Sequence, residues 1–201
     1  MKIYRSLFGE IISLENLFRG WEEFRKGKRG KSDVQRFERH LEENIFNLHR
    51  DLVNKTYRHG PYRSFYIHDP KQRLIHKATV RDRVLHHAIF AKLNPIFEPT
   101  FISHSFSCRV GKGTHKGVEA AAKMLRQVSG NGTKPCFVLK GDIKKFFQSI
   151  NHAKLIEILA RKIKDHDALW LLREIVSTST SRTPERERER DPALAGCRLA
   201  I

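Results

Sequence analysis

Cysteine is scarce in this chain and carries no pattern. Cys108, Cys136 and Cys197 are odd in number, far apart and without a Cys-x-x-Cys pair, so neither a disulfide framework nor a zinc knuckle is indicated. The opening Met-Lys-Ile-Tyr-Arg-Ser has no apolar stretch of the leader type, and no hydrophobic run is long enough to span a bilayer. A cytoplasmic protein with no membrane partner is the expectation. Acidic residues are the scarcer charge, with 22 Asp and Glu against 39 Lys and Arg. No Asp-Asp dipeptide occurs anywhere in the sequence. Gly111-Lys112-Gly113-Thr114 lacks the spacing of a Walker A loop, which argues against ATP hydrolysis.

The chain has 201 residues, 39% of them apolar, and a formal net charge of +17. That is enough to bury a core, as one domain or two small ones. From Ser177 onward there are five arginines against four acids, so +16 of the charge precedes Ser177. The basic surface therefore belongs to the patterned part. Such an excess suits a polyanionic partner, because Lys and Arg displace condensed counterions from a phosphate backbone.

Helical spacing is the main signal. Leu14, Leu17, Phe18, Trp21 and Phe24 mark a helix over residues 13–25, and the basic, glycine-broken loop Lys26–Lys31 follows. Ser32 or Asp33 reads as the cap of one helix carrying Phe37, Leu41, Ile45, Leu48 and Leu52. Residues Tyr62–Ile67 and Arg73–Ile75 flank an Asp-Pro turn and read as a β-hairpin bearing Arg63, Lys71 and Arg73. A helix over 80–93 with Pro95 beyond its end follows. His86 and His87 are neighbours on it and face two directions, a poor arrangement for metal. Gly111–Thr114 then opens a helix over 118–128, an arrangement suited to a phosphate. Two helices meet at Asp165-His166-Asp167, where capping outweighs metal ligation. Beyond Ser177 the pattern gives way to low complexity.

The stretch that points to chemistry is Lys140-Gly141-Asp142-Ile143-Lys144-Lys145-Phe146-Phe147-Gln148-Ser149-Ile150-Asn151-His152. Phe137-Val138-Leu139 reads as a short buried strand leading to Asp142. A carboxylate at a strand end can hold a divalent cation. An aromatic just beyond can pack against a sugar or base.

In order along the chain stand the basic hairpin, Arg-Asp-Arg-Val with His-His, Pro-Ile-Phe-Glu, Ser-Phe-Ser-Cys-Arg-x-Gly-Lys-Gly-Thr-His, and Asp-Ile-Lys-Lys-Phe-Phe-x-Ser-Ile-Asn-His. This resembles the N-terminal half of bacterial reverse transcriptases of group II introns, retrons and diversity-generating retroelements, over roughly residues 15–176. The Gly-Lys-Gly-Thr-His and His-His details look closest to the last type. The resemblance implies an α+β fold, mainly helical, with right-hand polymerase fingers and a partial palm. Residues 1–133 would be the fingers-like region with its basic β-hairpin. Residues 134–176 would begin the palm with a strand ending at Asp142, and 177–201 would be a tail outside the core. It implies RNA-directed DNA polymerase activity by two-metal Mg²⁺ chemistry. Asp142 and the carbonyl of Ile143 would contact metal, and Phe147 would lie under the incoming sugar. Lys71 and Arg73 would clasp the triphosphate, with Arg109 near the nucleotide. The partners implied are an RNA template, a DNA or RNA primer, dNTPs and a retroelement accessory protein.

The sequence departs from that family where it lacks the Tyr/Phe-x-Asp-Asp hairpin, so one aspartate stands where a two-metal site needs more carboxylates. The expectation is a truncated chain, inactive by itself, its tail a frame-shifted or shortened gene end. Aggregation or partial disorder after Lys134 is expected as well, since an unpaired strand edge would be left. The alternative is a non-catalytic RNA-binding module using the basic surface; a remnant with no activity is the third reading.

Overall fold

The computed structural model describes residues 2–68, 70, 72–143 and 146–180. Among these residues lie nine α-helices and one antiparallel hairpin. In order they are α1 (Phe8–Ile12), α2 (Leu14–Arg25), α3 (Ser32–Arg39), α4 (Leu41–Val53), β1 (Arg63–His68), β2 (Gln72–Lys77) and α5 (Val80–Phe97). Then come α6 (Thr114–Val128), α7 (Phe146–Ser149), α8 (His152–Lys162) and α9 (His166–Thr180). The chain divides into two compact units, one of residues 1–92 with 147–201 and one of residues 93–146.

The first unit holds the core. Ser13 caps α2 by accepting from the Asn16 N–H. Leu17, Trp21 and Phe24, spaced at one helix face, are all essentially inaccessible to solvent. Gly20 sits between them because α5 runs against it: a Cβ at Gly20 would lie 2.8 Å from the Val84 carbonyl oxygen. The Asn16 side-chain amide fastens the same crossing, donating to the carbonyls of Ile11 and Ala88. Ile45, Leu48 and Leu52 of α4 and Leu171 of α9 complete the interior.

Residues 32–53 read as one helix in sequence but form two, with His40 at the break. The Asn44 side chain donates to the Phe37 carbonyl there, supplying a partner to a backbone group at the end of α3. Phe37 stacks on Trp21 with ring centroids 5.3 Å apart, so packing overrides continuous spacing. The cap of α3 is Lys31, not Ser32 or Asp33. Asp33 instead receives Lys77 at 2.7 Å and Arg83 at 2.8 Å. Pro95 lies inside α5, not beyond it; it falls in the last turn, where little helix remains to be disrupted. Helix α9 extends through Ser177 to Thr180, past the loss of apolar pattern.

The two chain segments of this unit are joined by backbone and by one carboxylate. Tyr4 pairs with Ile163 in a parallel bridge. Asp165 accepts from the N–H groups of Leu7, Phe8, Asp167 and Ala168 at 2.7–3.0 Å. It caps α9 and anchors the start of α1, so the capping expectation holds.

The second unit has almost no interior. Among its described residues only Ile96 and Ser129 are buried. It contains the last turn of α5, a 3₁₀ turn at Glu98–Thr100, a loop, α6 and a stretch without regular secondary structure that runs to Ile143. The expectation of a buried strand at 137–139 fails. Phe137 and Leu139 are 98% exposed, and the stretch joins no sheet. A strand needs a neighbour for its N–H and C=O groups and a face to cover it; the described residues of this unit offer neither.

Burial pushes the Asp165 carboxyl up, but the four backbone N–H groups outweigh it and hold its pKa below the usual carboxylate value. Its contribution is present above the unfolded pKa of about 4 and is lost as pH falls through the lower folded value. Asp165→Ala should destabilise the protein by about 2 kcal/mol at neutral pH, the scale of a lost cap with further orphaned donors. Urea denaturation at pH 7 and in acid checks this, and the difference between the two proteins should shrink in acid.

Candidate nucleic-acid interface

The hairpin is rooted in a buried polar hub. The Asp82 side chain is fully enclosed. It accepts from the Tyr57 hydroxyl at 2.8 Å, the Gly60 N–H at 3.1 Å and the Thr79 hydroxyl at 2.6 Å. Thr79 in turn accepts from the Asp82 N–H, closing the first turn of α5. Burial, then the neighbouring Asp82 charge, raise the Tyr57 phenol far above its ordinary pKa, so it stays a donor. A Cβ at Gly60 would meet Asp82 Oδ2 at 2.9 Å, and only glycine admits this approach. His59 donates to the Gly60 carbonyl and stacks on Tyr62 and on His86. Burial and the adjacent His59 push His86 down to about 4. His87 packs edge-on against Phe24 instead, so the two neighbouring histidines have different surroundings.

From that root, β1 and β2 pair in the register Arg63 with Lys77, Phe65 with Ile75 and Ile67 with Arg73. Opposite residues in such a ladder share a face. Arg63, Phe65, Ile67, Arg73, Ile75 and Lys77 therefore form one basic and apolar face. Phe65, Tyr66 and Ile67 are exposed, as are Arg63 and Arg73. Exposed aromatics among cations can meet both bases and phosphates. Lys71 lies outside the described residues, as do Lys144 and Lys145.

In the second unit Arg109 is committed to its own loop. Its guanidinium pairs with Glu98 at 2.8 Å and donates to the carbonyls of Ile102, Ser105 and Glu98, with Phe101 beneath it. Its side chain is 12% exposed. Lys112 reaches back to the Ser103 carbonyl across the same loop. Asp142 and Ile143 end the irregular stretch that follows α6, both exposed. Phe147, in α7, is 83% exposed, so packing in a core beside Phe146 is not its environment. Arg73 and Phe147 thus belong to one unit, and Arg109, Asp142 and Ile143 to the other. Asp142 belongs to no group of three His, Cys, Asp or Glu among the described residues. The described residues by themselves do not make up a magnesium site. No helix among the described residues is long and apolar enough to cross a membrane.

The hub escaped sequence reasoning. Arg81-Asp82-Arg83 is visible as a motif, but a lone aspartate between arginines gives no sign of facing inward toward residues 57, 60 and 79.

Asp82→Ala should cost about 3 kcal/mol or more, because three donors lose a buried charged acceptor; chemical denaturation measures it, and a loss below about 1 kcal/mol would contradict the hub. Arg109→Lys should leave overall stability within about 1 kcal/mol and speed proteolysis between Phe101 and Lys112, since an ammonium cannot reproduce the forked donor set. Unchanged cleavage kinetics would show that the clasp does not order the loop.

No family model matches the chain. Among curated proteins it is 32% identical over 129 residues to the group II intron-encoded protein LtrA of Lactococcus lactis, covering 62% of this chain and 20% of LtrA. It is 26% identical over 127 residues to protein YkfC of Escherichia coli, 62% of this chain and 33% of the relative. It is 21% identical over 166 residues to nuclear intron maturase 2, mitochondrial, of Arabidopsis thaliana, 74% and 22%. The chain spans a third or less of the length of these relatives. They give no support to the finer likeness to diversity-generating elements. The ordered motifs and these similarities agree: over about half to three quarters of its length the chain is similar to group II intron-encoded proteins and intron maturases.

Proposed function

We propose that the chain is the fingers and the beginning of the palm of an RNA-directed DNA polymerase, and that these 201 residues alone bind RNA without polymerising. The observation that carries the reading is Asp142. It stands exposed at the end of an uncovered stretch without regular secondary structure, and among the described residues it belongs to no cluster of three metal-ligand side chains. A polymerase site needs several carboxylates to hold two Mg²⁺ ions in fixed geometry, and the sequence has no Asp-Asp pair. Asp142, with the Ile143 carbonyl, would supply one corner of that site to carboxylates from elsewhere. Phe147 would lie flat under the incoming sugar, where a ring without polar groups excludes a hydroxyl by volume. Lys71 and Arg73 would neutralise the triphosphate. Arg109 would shape the loop that borders the nucleotide. Template RNA, primer and dNTPs are the substrates of the assembled enzyme, with an accessory protein as a further partner.

RNA affinity is supported by the charge, +16 of which precedes Ser177, and by the exposed basic and aromatic hairpin. The affinity expected is of the phosphate kind, tolerant of sequence. Relatives named as intron-encoded proteins and intron maturases fit an intron RNA as the partner.

The expected outcome is twofold. Primer extension on an RNA template with Mg²⁺ and dNTPs should give no product, and the same preparation should bind single-stranded RNA with log K falling steeply against log salt, by about 0.7 per phosphate contacted. Incorporation abolished by Asp142→Asn would refute the inactive state. RNA binding that is absent, or indifferent to salt, would refute the binding role.

A further inference from the structure

The first unit contains a cleft of about 780 Å³ that no part of the polymerase reading uses. Helix α3 and the start of α4 form one wall, through Arg36, Phe37, His40 and Asn44. The root of the hairpin forms the other, through Pro61, Arg63 and residues Lys77–Arg81. Four of its lining residues are Lys or Arg and two are acidic. One of the acids, Asp33, is already answered by Lys77 and Arg83. The other, Glu43, faces His40 at 3.7 Å. Arg81 is held by Asp51 at 2.6 Å. That leaves Arg36 and Arg63, both exposed, on opposite walls. Neither guanidinium has a hydrogen-bonding or ionic partner among the described residues.

Two free guanidiniums on facing walls, above apolar side chains, suit an anion with a planar group attached. A guanidinium offers paired donors that match phosphate oxygens. Pro61, Phe37, Ala78 and Val80 line the apolar part. The volume falls in the usual range for a small-ligand site, about 300–1,000 Å³. It admits a nucleotide or two of a single strand and is too small for a duplex. The cleft is also built on fixed parts: Asp33 ties α3 to β2 and α5, and the Asp82 hub ties both hairpin roots to α5.

We infer that this cleft seats a stretch of single-stranded RNA, with Arg36 and Arg63 gripping adjacent phosphates. The inference rests on the RNA-binding reading above and names where that binding is concentrated. The test uses the whole chain and a short single-stranded oligoribonucleotide. Arg36→Ala combined with Arg63→Ala should weaken binding about tenfold or more and reduce the salt slope by about 1.4, two phosphate contacts. A control removes two exposed arginines outside the cleft, Arg5→Ala with Arg19→Ala, and should change affinity less than threefold. Thiouridine-labelled RNA should crosslink to peptides within 32–44 or 61–81, which locates the strand without any substitution. Duplex RNA of equal length should compete poorly. If the two double variants lose affinity alike, if the crosslinks fall outside both segments, or if duplex competes as well as single strand, the cleft is not the site, while RNA binding itself stands. If the unaltered chain binds no RNA, both readings fall together.

Discussion

One buried carboxylate organises the hairpin of the first unit. Asp82 is fully enclosed, with the His59 ring 4.0 Å away, and an enclosed charge is tolerated only when its acceptor capacity is taken up. The donors come from residues 57, 60 and 79, which bracket the hairpin on both sides. Satisfying that charge therefore fixes where the chain enters β1 and leaves β2. Arg63, Arg73 and Lys77 inherit their positions from a requirement that has nothing to do with RNA. Asp33 adds a second tie, drawing Lys77 of β2 and Arg83 of α5 to α3.

The two units differ in what holds them. The first closes on itself through apolar faces of α2, α4, α5 and α9 and through Asp165, which gathers residues far apart in sequence. The second relies on a clasp around Arg109 and on the local hydrogen bonds of α6, with Ile96 and Ser129 alone buried among its described residues. Helix α6 exposes Val118, Met124, Leu125 and Val128, and Phe137 and Leu139 are almost wholly uncovered. Burial of such side chains is worth about 1.5–3 kcal/mol each, so these segments have the composition of a core without its covering. Asp142 sits on that uncovered part.

Much of this could be read from the residues alone. The helices of the first unit follow from apolar spacing, as with Leu17, Trp21 and Phe24. The hairpin follows from its Asp-Pro turn and β-rich flanks, and the Asp165 cap from its place between two amphipathic stretches. The failures share a cause. Nothing local reports that Asn44 will serve the Phe37 carbonyl and permit a break at His40. The apolar run at 137–139 carries the right propensity for a strand, yet propensity is realised only against a neighbour and a covering face. The sequence singles out Arg109 but gives no sign of its enclosure by Glu98 and three loop carbonyls.

The sequence by itself determined the basic character of the chain, its helical periods, its order of polymerase-like motifs and its want of an Asp-Asp pair, because each is a property of residue identity and spacing. Only the tertiary structure decided that Asp82 faces inward, that Arg36 and Arg63 share one cleft, and that the stretch before Asp142 stands open. Each of these depends on which distant groups meet, and partners separated by tens of residues leave no periodic trace along the chain.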